Sequence, residues 1–461
     1  MGPAAPAVRR SGLGRLLSWS SLLWVMLWLN IEADPRHWRN PTGLVGYLHF
    51  IRSLLAFAAA VVACLFVHRR ATRGVFGGSG PVRLMAVYGL FALGASLLSA
   101  SPFEALYWGG LYLSVFIVLE AVVAQGDPLS GSAQLLTLTW VMVATLAAGL
   151  AIVAWDVLFG SGDWWSSDVE VVNVIPAVGG VTMSRSTGIG RLAAVPAVFA
   201  FSRVWQARGP SRVLWGALCG ASVVLMLATR ARTPLIGFVV AALFMLSVQR
   251  GQGALFLTMG VAGLAMLADA TIAERMEGIV YRRGPGEKLM RMTGRTEVWR
   301  EGWEVFLRSP VLGLGPLADR FHMGLRHVHN TWLLALMQAG VAGTAFFVAS
   351  WVVGWRLFFR CLQGLAVLSA QRRVLLVEAG AVLAFFTVRS IPEATAAAFS
   401  VDLLVIVPIL AYLEILDRSL RQAWACQSLS APGSGRGGRP REAGHTAALV
   451  GRNAWSRGGT G

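Results

Sequence analysis

Apolar runs long enough to cross a lipid bilayer recur along this chain, and no other feature constrains its fold as strongly. They lie near residues 16–31, 43–67, 82–99, 104–124, 135–160 and 188–205. A second set lies near 211–229, 232–249, 253–270, 329–355, 373–391 and 397–416. A span needs about twenty apolar residues, and within hydrocarbon only a helix or a closed barrel satisfies its own backbone. Twelve helices of that length use about half of the 461 residues. Composition agrees, with 56% hydrophobic and 14% charged residues, where a soluble domain carries about a quarter charged. These figures exclude a water-soluble globule, and they also exclude intrinsic disorder, which needs low hydrophobicity and high charge. The expected fold class is an all-α polytopic membrane protein of about 12 transmembrane helices.

The formal net charge is +17, supplied almost wholly by arginine, since Lys288 is the one lysine. The basic residues punctuate apolar runs and do not cluster on one soluble face, so no nucleic-acid partner is expected. Cys64, Cys219, Cys361 and Cys426 form neither a disulfide framework nor a zinc spacing. Placing both termini in the cytoplasm puts Arg9, Arg10, Arg15, Arg69, Arg70, Arg73, Arg356, Arg360, Arg372, Arg373 and the tail arginines inside. The short outer loops then hold only Arg36, Arg39, Arg185, Arg191, Arg230, Arg232 and Arg389, the asymmetry that the positive-inside rule requires. The first run follows basic residues but lacks a small-x-small cleavage site before Glu32, so it reads as an uncleaved span. The organisation follows: spans one to nine in 1–270, a long outer loop in 271–328, spans ten to twelve in 329–416, and a disordered basic cytoplasmic tail in 417–461. That tail is rich in Gly, Ser and Arg and suits contact with lipid headgroups.

Within the outer loop, Leu289, Met292, Trp299, Trp303 and Phe306 recur at three- and four-residue steps. The spacing predicts an amphipathic helix, lying either along the membrane–water boundary or against the bundle. Ser309-Pro310-Val311-Leu312-Gly313-Leu314-Gly315-Pro316 follows. Its Gly-x-Gly has no preceding strand and Pro316 removes an amide donor, so a tight turn back to the membrane is expected and not a phosphate cradle.

Next come His329-Asn330, nine residues, Gly340, two residues and Gly343. Here the chain resembles the O-antigen ligases of Gram-negative bacteria, whose signature is His, then Asn, Ser or Gln, nine residues, Gly, two residues, and Gly, Thr or Tyr. The resemblance extends to Arg295-x-x-x-Trp299, to the Ser309–Pro316 turn and to a span that starts at the His. Arg230-Ala231-Arg232-Thr233-Pro234-Leu235 stands where the family has a Ser-Arg pair. Ala231 replaces that Ser, leaving Arg230 and Arg232 both as possible counterparts.

The resemblance implies transfer of O-antigen from undecaprenyl diphosphate to a sugar hydroxyl of lipid A-core, on the periplasmic side of the inner membrane. It also implies a metal-independent reaction with no cofactor, arginines doing what a cation does elsewhere. The residues suit that chemistry. Developing charge on a leaving diphosphate calls for cations, and arginine stays charged and grips phosphate bidentately. Arg185, Arg191, Arg232 and Arg295 are the candidates. An acceptor hydroxyl benefits from a base, and His329 at a helix start can take its proton, with Asn330 orienting the ring or an incoming sugar. Gly340 and Gly343 are expected to let another helix approach closely. His322, His327, His329 and Asp319 match no closed metal spacing. Glu32 with Asp34, and Asp168 with Glu170, read as solvated loop charge, while Arg389 and Glu393 read as an ion pair closing the bundle.

Two other transferases compete. An O-antigen polymerase would carry Arg, ten residues, Gly in outer loops, and the pairs Arg275–Gly286 and Arg283–Gly294 fit at the frequency chance allows. A protein O-oligosaccharyltransferase would differ only in acceptor. A lipid-linked glycan transporter would line its interior with ionisable groups, whereas mid-span charges here are chiefly Arg52, Glu120, Asp156 and Asp402.

Overall fold

The computed structural model describes residues 19–31, 43–70, 75–153, 172–173, 183–184, 186–229, 231–250, 295–324 and 326–430. Thirteen helices form the described architecture: α1 (Trp19–Leu29), α2 (Gly43–Arg70), α3 (Pro81–Ala95), α4 (Pro102–Val123), α5 (Pro128–Val153), α6 (Ser186–Gln206), α7 (Pro210–Ala228), α8 (Arg232–Arg250), α9 (Arg295–Phe306), α10 (Ala318–His322), α11 (Thr331–Gln363), α12 (Ala370–Arg389) and α13 (Val401–Ser430). A two-residue antiparallel pair, β1 (Val172–Asn173) with β2 (Met183–Ser184), is the strand structure among the described residues. Five helices are long and apolar enough to cross a membrane, in Pro81–Leu98, Pro102–Val123, Pro128–Ile152, Pro210–Ala228 and Thr331–Gln363. Phe50–Leu65 and Thr233–Gln249 are shorter apolar helices. The chain is a multi-pass membrane protein. The expected span near 253–270, the Arg275–Gly286 and Arg283–Gly294 pairs, Glu32 with Asp34, Asp156, and Asp168 with Glu170 lie outside the described residues.

Local chemistry explains several helix starts. Proline opens α3, α4 and α7, where its missing N–H costs nothing and its fixed φ suits the first turn. Asp127 caps α5 by accepting from the amides of Leu129 and Ser130 at 3.3 and 3.1 Å. The core gathers on α13, where the run from Val401 to Asp417 is buried. α5 and α11 pack on α13, α3 lies along α11, and α12 packs against α8. α13 does not stop at Asp417, where the sequence suggested disorder begins, but runs to Ser430. Arg418 on Glu414 and Arg421 on Asp417, one turn apart at 3.2 and 2.8 Å, continue the helix past that point.

The most consequential local feature is a break inside α11. Gly340 has φ +59° and ψ −170°, outside helical values. The helix therefore loses the bonds that Val341 and Ala342 would make to Met337 and Gln338. The Ser309–Pro316 turn replaces them from the side. Leu314 and Gly315 donate to the carbonyls of Met337 and Gln338 at 2.8 and 3.0 Å, while Val341 and Ala342 donate to Pro310 and Val311 at 2.8 and 3.3 Å. All four freed groups are satisfied, as a buried backbone demands. A side chain at 340 would need a disfavoured φ and would put its Cβ 2.1 Å from the Val311 oxygen. At Gly343 a Cβ would sit 2.8 Å from the Cβ of Phe91 on α3. The expected helix approach is thus found at Gly343, whereas at Gly340 the neighbour is the return turn.

Gly340→Ala is expected to destabilise the protein by about 3 kcal/mol or more, from left-handed strain plus overpacking. Gly220→Ala in α7, where a Cβ meets nothing within 4 Å, is expected to be neutral or slightly stabilising. Thermal unfolding of both variants in the same detergent checks the contrast.

Candidate active site

α11, α12 and α13 bring their ends together around residues 326–331 and 390–402, and α9 packs against the start of α11. His329 lies two residues before α11 and takes φ +47°, a left-handed conformation that a residue with a Cβ rarely adopts. Such strain costs about 1–3 kcal/mol and persists where surrounding bonds over-determine it. Those bonds are present. The Val328 amide donates to Asp319 at 3.1 Å, Trp299 of α9 donates to the Val328 carbonyl at 2.9 Å, and the Thr331 amide donates to Ser390 at 3.1 Å. Asn330 is the N-cap of α11: its side-chain oxygen accepts from the Leu333 amide at 2.8 Å, and its Nδ2 donates to the Ile391 carbonyl at 3.0 Å.

The His329 ring meets a carboxylate that the sequence had assigned elsewhere. Nδ1 of His329 lies 3.0 Å from Oε2 of Glu393. The other carboxylate oxygen, Oε1, accepts from Nη2 of Arg295 at 3.0 Å, and Nη1 of the same arginine donates to the Pro392 carbonyl at 2.8 Å. Burial alone would raise the Glu393 carboxyl, but His329, Arg389 and Arg295 overcome it and hold it down to about 2. Glu393 is therefore ionised and accepts from both neighbours. Burial pushes the His329 imidazole below its ordinary value, Glu393 pulls it back up, and His327 and Arg295 add to the downward push. The net direction is down, so the ring is neutral near pH 7. With a carboxylate facing Nδ1, the proton sits on Nδ1 and the lone pair on Nε2.

His327 carries a second carboxylate–imidazole contact beside the first. Its Nδ1 bonds Oδ2 of buried Asp319, and the His327 and His329 ring centroids are 4.6 Å apart. Burial raises Asp319, yet His327, Arg320 and the Val328 amide together hold its carboxyl below the usual carboxylate range.

A further cluster adjoins this one. Asp402, the second residue of α13, accepts from Arg191 of α6 at 3.1 Å and also bonds Arg389 at the end of α12, which donates to Thr395 at 3.1 Å. Arg389 and Glu393 therefore do not pair with each other as expected. Arg389 turns to Asp402, and Glu393 to Arg295 and His329, even though the Glu393 amide bonds the Arg389 carbonyl at 3.0 Å. Asp402, expected mid-span, instead lies at the helix end beside this loop. The Nε groups of Arg191 and Arg389 are buried and have no hydrogen-bond partner among the described residues.

Of the sequence candidates, the structure brings Arg295 and His329 together through Glu393 and sets Arg191 beside Arg389. A Cβ at Gly190 would lie 2.8 Å from Thr229 and 3.1 Å from Pro234, so the turn between α7 and α8 abuts the start of α6. Arg230 and Arg185 lie outside the described residues, and Arg232 opens α8 with its side chain outside the description. Sequence reasoning missed Glu393 and Arg389 as members of the site. Their only signal was that two charges flank Pro392 in an otherwise apolar region.

Residues 217–348 match the model of a family described as O-antigen ligase. The matched stretch runs from α7 through the break in α11 and contains Arg232, Arg295, His329, Gly340 and Gly343. The comparison with curated proteins found no match.

Because Asn330 holds both the helix start and the Ile391 carbonyl, Asn330→Ala is expected to cost about 1–2 kcal/mol of stability. Asn330→Ser keeps a capping oxygen and is expected to cost about half as much. Thermal unfolding of the two variants reads the difference. Equal stability of all three proteins would show that neither bond contributes.

Proposed function

We propose that this chain, whose residues 217–348 match the model of an O-antigen ligase domain, transfers O-antigen polysaccharide from undecaprenyl diphosphate to a sugar hydroxyl of lipid A-core. The coarse activity, a membrane glycosyltransferase of the O-antigen ligase or polymerase type, follows from that domain. The finer assignment is carried by one observation: Arg295 and a neutral, strained His329 share the carboxylate of Glu393 at one end of the bundle.

In the proposed reaction the acceptor hydroxyl oxygen attacks the anomeric carbon of the donor sugar. The bond from that carbon to the diphosphate oxygen breaks, and the electron pair leaves on the diphosphate. The hydroxyl proton passes to Nε2 of His329, whose lowered basicity keeps it unprotonated and ready near pH 7. Guanidinium groups stabilise the charge that develops on the leaving group. Arg295 and Arg191 are the described candidates, with Arg185, Arg230 and Arg232 the others expected on the same side. Unpartnered N–H donors on Arg191 and Arg389 support an anion beside them. Asn330 serves His329 indirectly, by fixing the helix start behind it. The site would face the periplasm, with both termini cytoplasmic.

The test is glycan transfer by purified protein supplied with lipid-linked O-antigen and lipid A-core in EDTA. His329→Ala is expected to lower the rate by about 10²–10⁴, and wild type is expected to keep its rate in the chelator. A lengthened lipid-linked glycan in place of the ligated product would select a polymerase. Equal rates from wild type and variant would remove His329 from the mechanism.

A further inference from the structure

We propose that Glu393 is the positioning residue of His329: it fixes which ring nitrogen faces the substrate, and Arg295 in turn fixes Glu393. The proposal rests on the reading of His329 as the base.

Three features of the geometry carry it. First, the Glu393 backbone is tied to the His329 segment independently of the two side chains. The Thr331 hydroxyl donates to the Glu393 carbonyl at 2.7 Å and accepts from the Thr395 amide at 2.7 Å, while Asn330 holds Ile391. The loop from 390 to 395 and the residue before α11 therefore form one rigid unit. Second, both carboxylate oxygens are engaged, Oε2 by His329 and Oε1 by Arg295, so the carboxylate cannot rotate away. Third, among the described residues the charged and titratable groups acting on the ring are His327, Arg295 and Glu393, with Arg389 acting on Glu393 itself. Glu393 is the one whose charge favours a basic ring. An ionised carboxylate accepts only, so it demands a proton on Nδ1 and leaves the lone pair on Nε2.

Sharing with Arg295 makes the consequence of one substitution specific. In Glu393→Gln the amide has one acceptor and one donor end. Arg295 can only donate, so it claims the amide oxygen and turns the NH₂ toward His329. Nδ1 must then accept, the proton moves to Nε2, and the base is lost at the atom where it is needed. Losing the correct tautomer in a carboxylate–histidine–nucleophile arrangement lowers turnover by about 10⁴. Glu393→Asp keeps an acceptor-only group and is expected to retain the Nδ1–H form.

Nitrogen-15 histidine NMR of the full chain in lipid nanodiscs, without substrate, reads the tautomer, with His329→Ala supplying the assignment. Wild type and Glu393→Asp are expected to show Nδ1–H, and Glu393→Gln to show Nε2–H. In the transfer assay Glu393→Gln is expected to lose about 10²–10⁴ in rate while unfolding at a temperature that shows it is folded. A Glu393→Gln protein that keeps the Nδ1–H form overturns the proposal, whether or not its rate falls. So does one with the altered tautomer and a rate within threefold of wild type. If wild type transfers nothing to lipid A-core, the ligase assignment fails separately, and the tautomer measurement still decides the role of Glu393.

Discussion

A helix interrupted inside a membrane protein frees amide and carbonyl groups that hydrocarbon cannot satisfy, and the break at Gly340 sets the terms for the rest of the site. Two helical bonds are exchanged for four bonds to the 310–315 backbone, so the polypeptide gains an attachment without leaving a buried group unpaired. That attachment ties the segment leaving α9 to the middle of α11. Since α9 carries Arg295 and His329 lies two residues before α11, that attachment, with the bond from Trp299 to the Val328 carbonyl, holds the two segments together. The glycine is required because the break takes φ +59° and leaves no room for a Cβ beside the Val311 oxygen, and it is backbone that matches the four groups the break exposes. A side chain could reach one freed group but not four in sequence.

The same logic orders the charges. Asp402 and Glu393 each meet two partners, Arg191 with Arg389 and Arg295 with His329, while Asp319 holds His327. A guanidinium placed alone at the end of a membrane helix would be costly and free to swing toward lipid phosphate. Paired with a carboxylate anchored in a stapled loop, it is held in one direction while its remaining N–H groups stay available. Tyr88 and Tyr112 support this from below, donating to the carbonyls of Ala397 and Ala396 at 2.8 and 3.3 Å. The loop between α12 and α13 thus behaves as part of the core despite its irregular backbone.

Much of this was legible in sequence, and the boundary of legibility is physical. Apolar runs located the helices, because length in hydrocarbon and a missing charge are local properties. His329 was legible through its spacing to Gly340 and Gly343, and Arg295 through its own spacing to Trp299. Partner choice was not. Arg389 and Glu393 are four residues apart and look like a pair, but each takes partners that other elements bring to it, Asp402 for Arg389, and Arg295 with His329 for Glu393. Glu393 is 64 residues from His329, so no local pattern could join them. Asp402 looked mid-span because residues 397–400 are apolar or small. They belong instead to an irregular loop, and the helix starts later, at Val401. Asn330 is expected from the sequence to orient the ring or an incoming sugar, while its cap role follows only once the helix is known to begin at Thr331.

On the proposed chemistry, the charge balance explains why a histidine can serve as base among so many cations. Among the described residues, Arg191, Arg295 and Arg389 face Asp402 and Glu393, leaving one positive charge. Protonating His329 would raise the local excess to two, in a site whose burial already disfavours it. A diphosphate entering beside the guanidiniums reverses that balance and makes the ring a better proton acceptor as the donor arrives. Removing the carboxylates would free more positive charge for the phosphates but would leave the arginines unaimed and the imidazole unoriented. The site therefore needs fewer acids than cations, but not none, and the small excess suits an anionic ligand that binds, reacts and leaves.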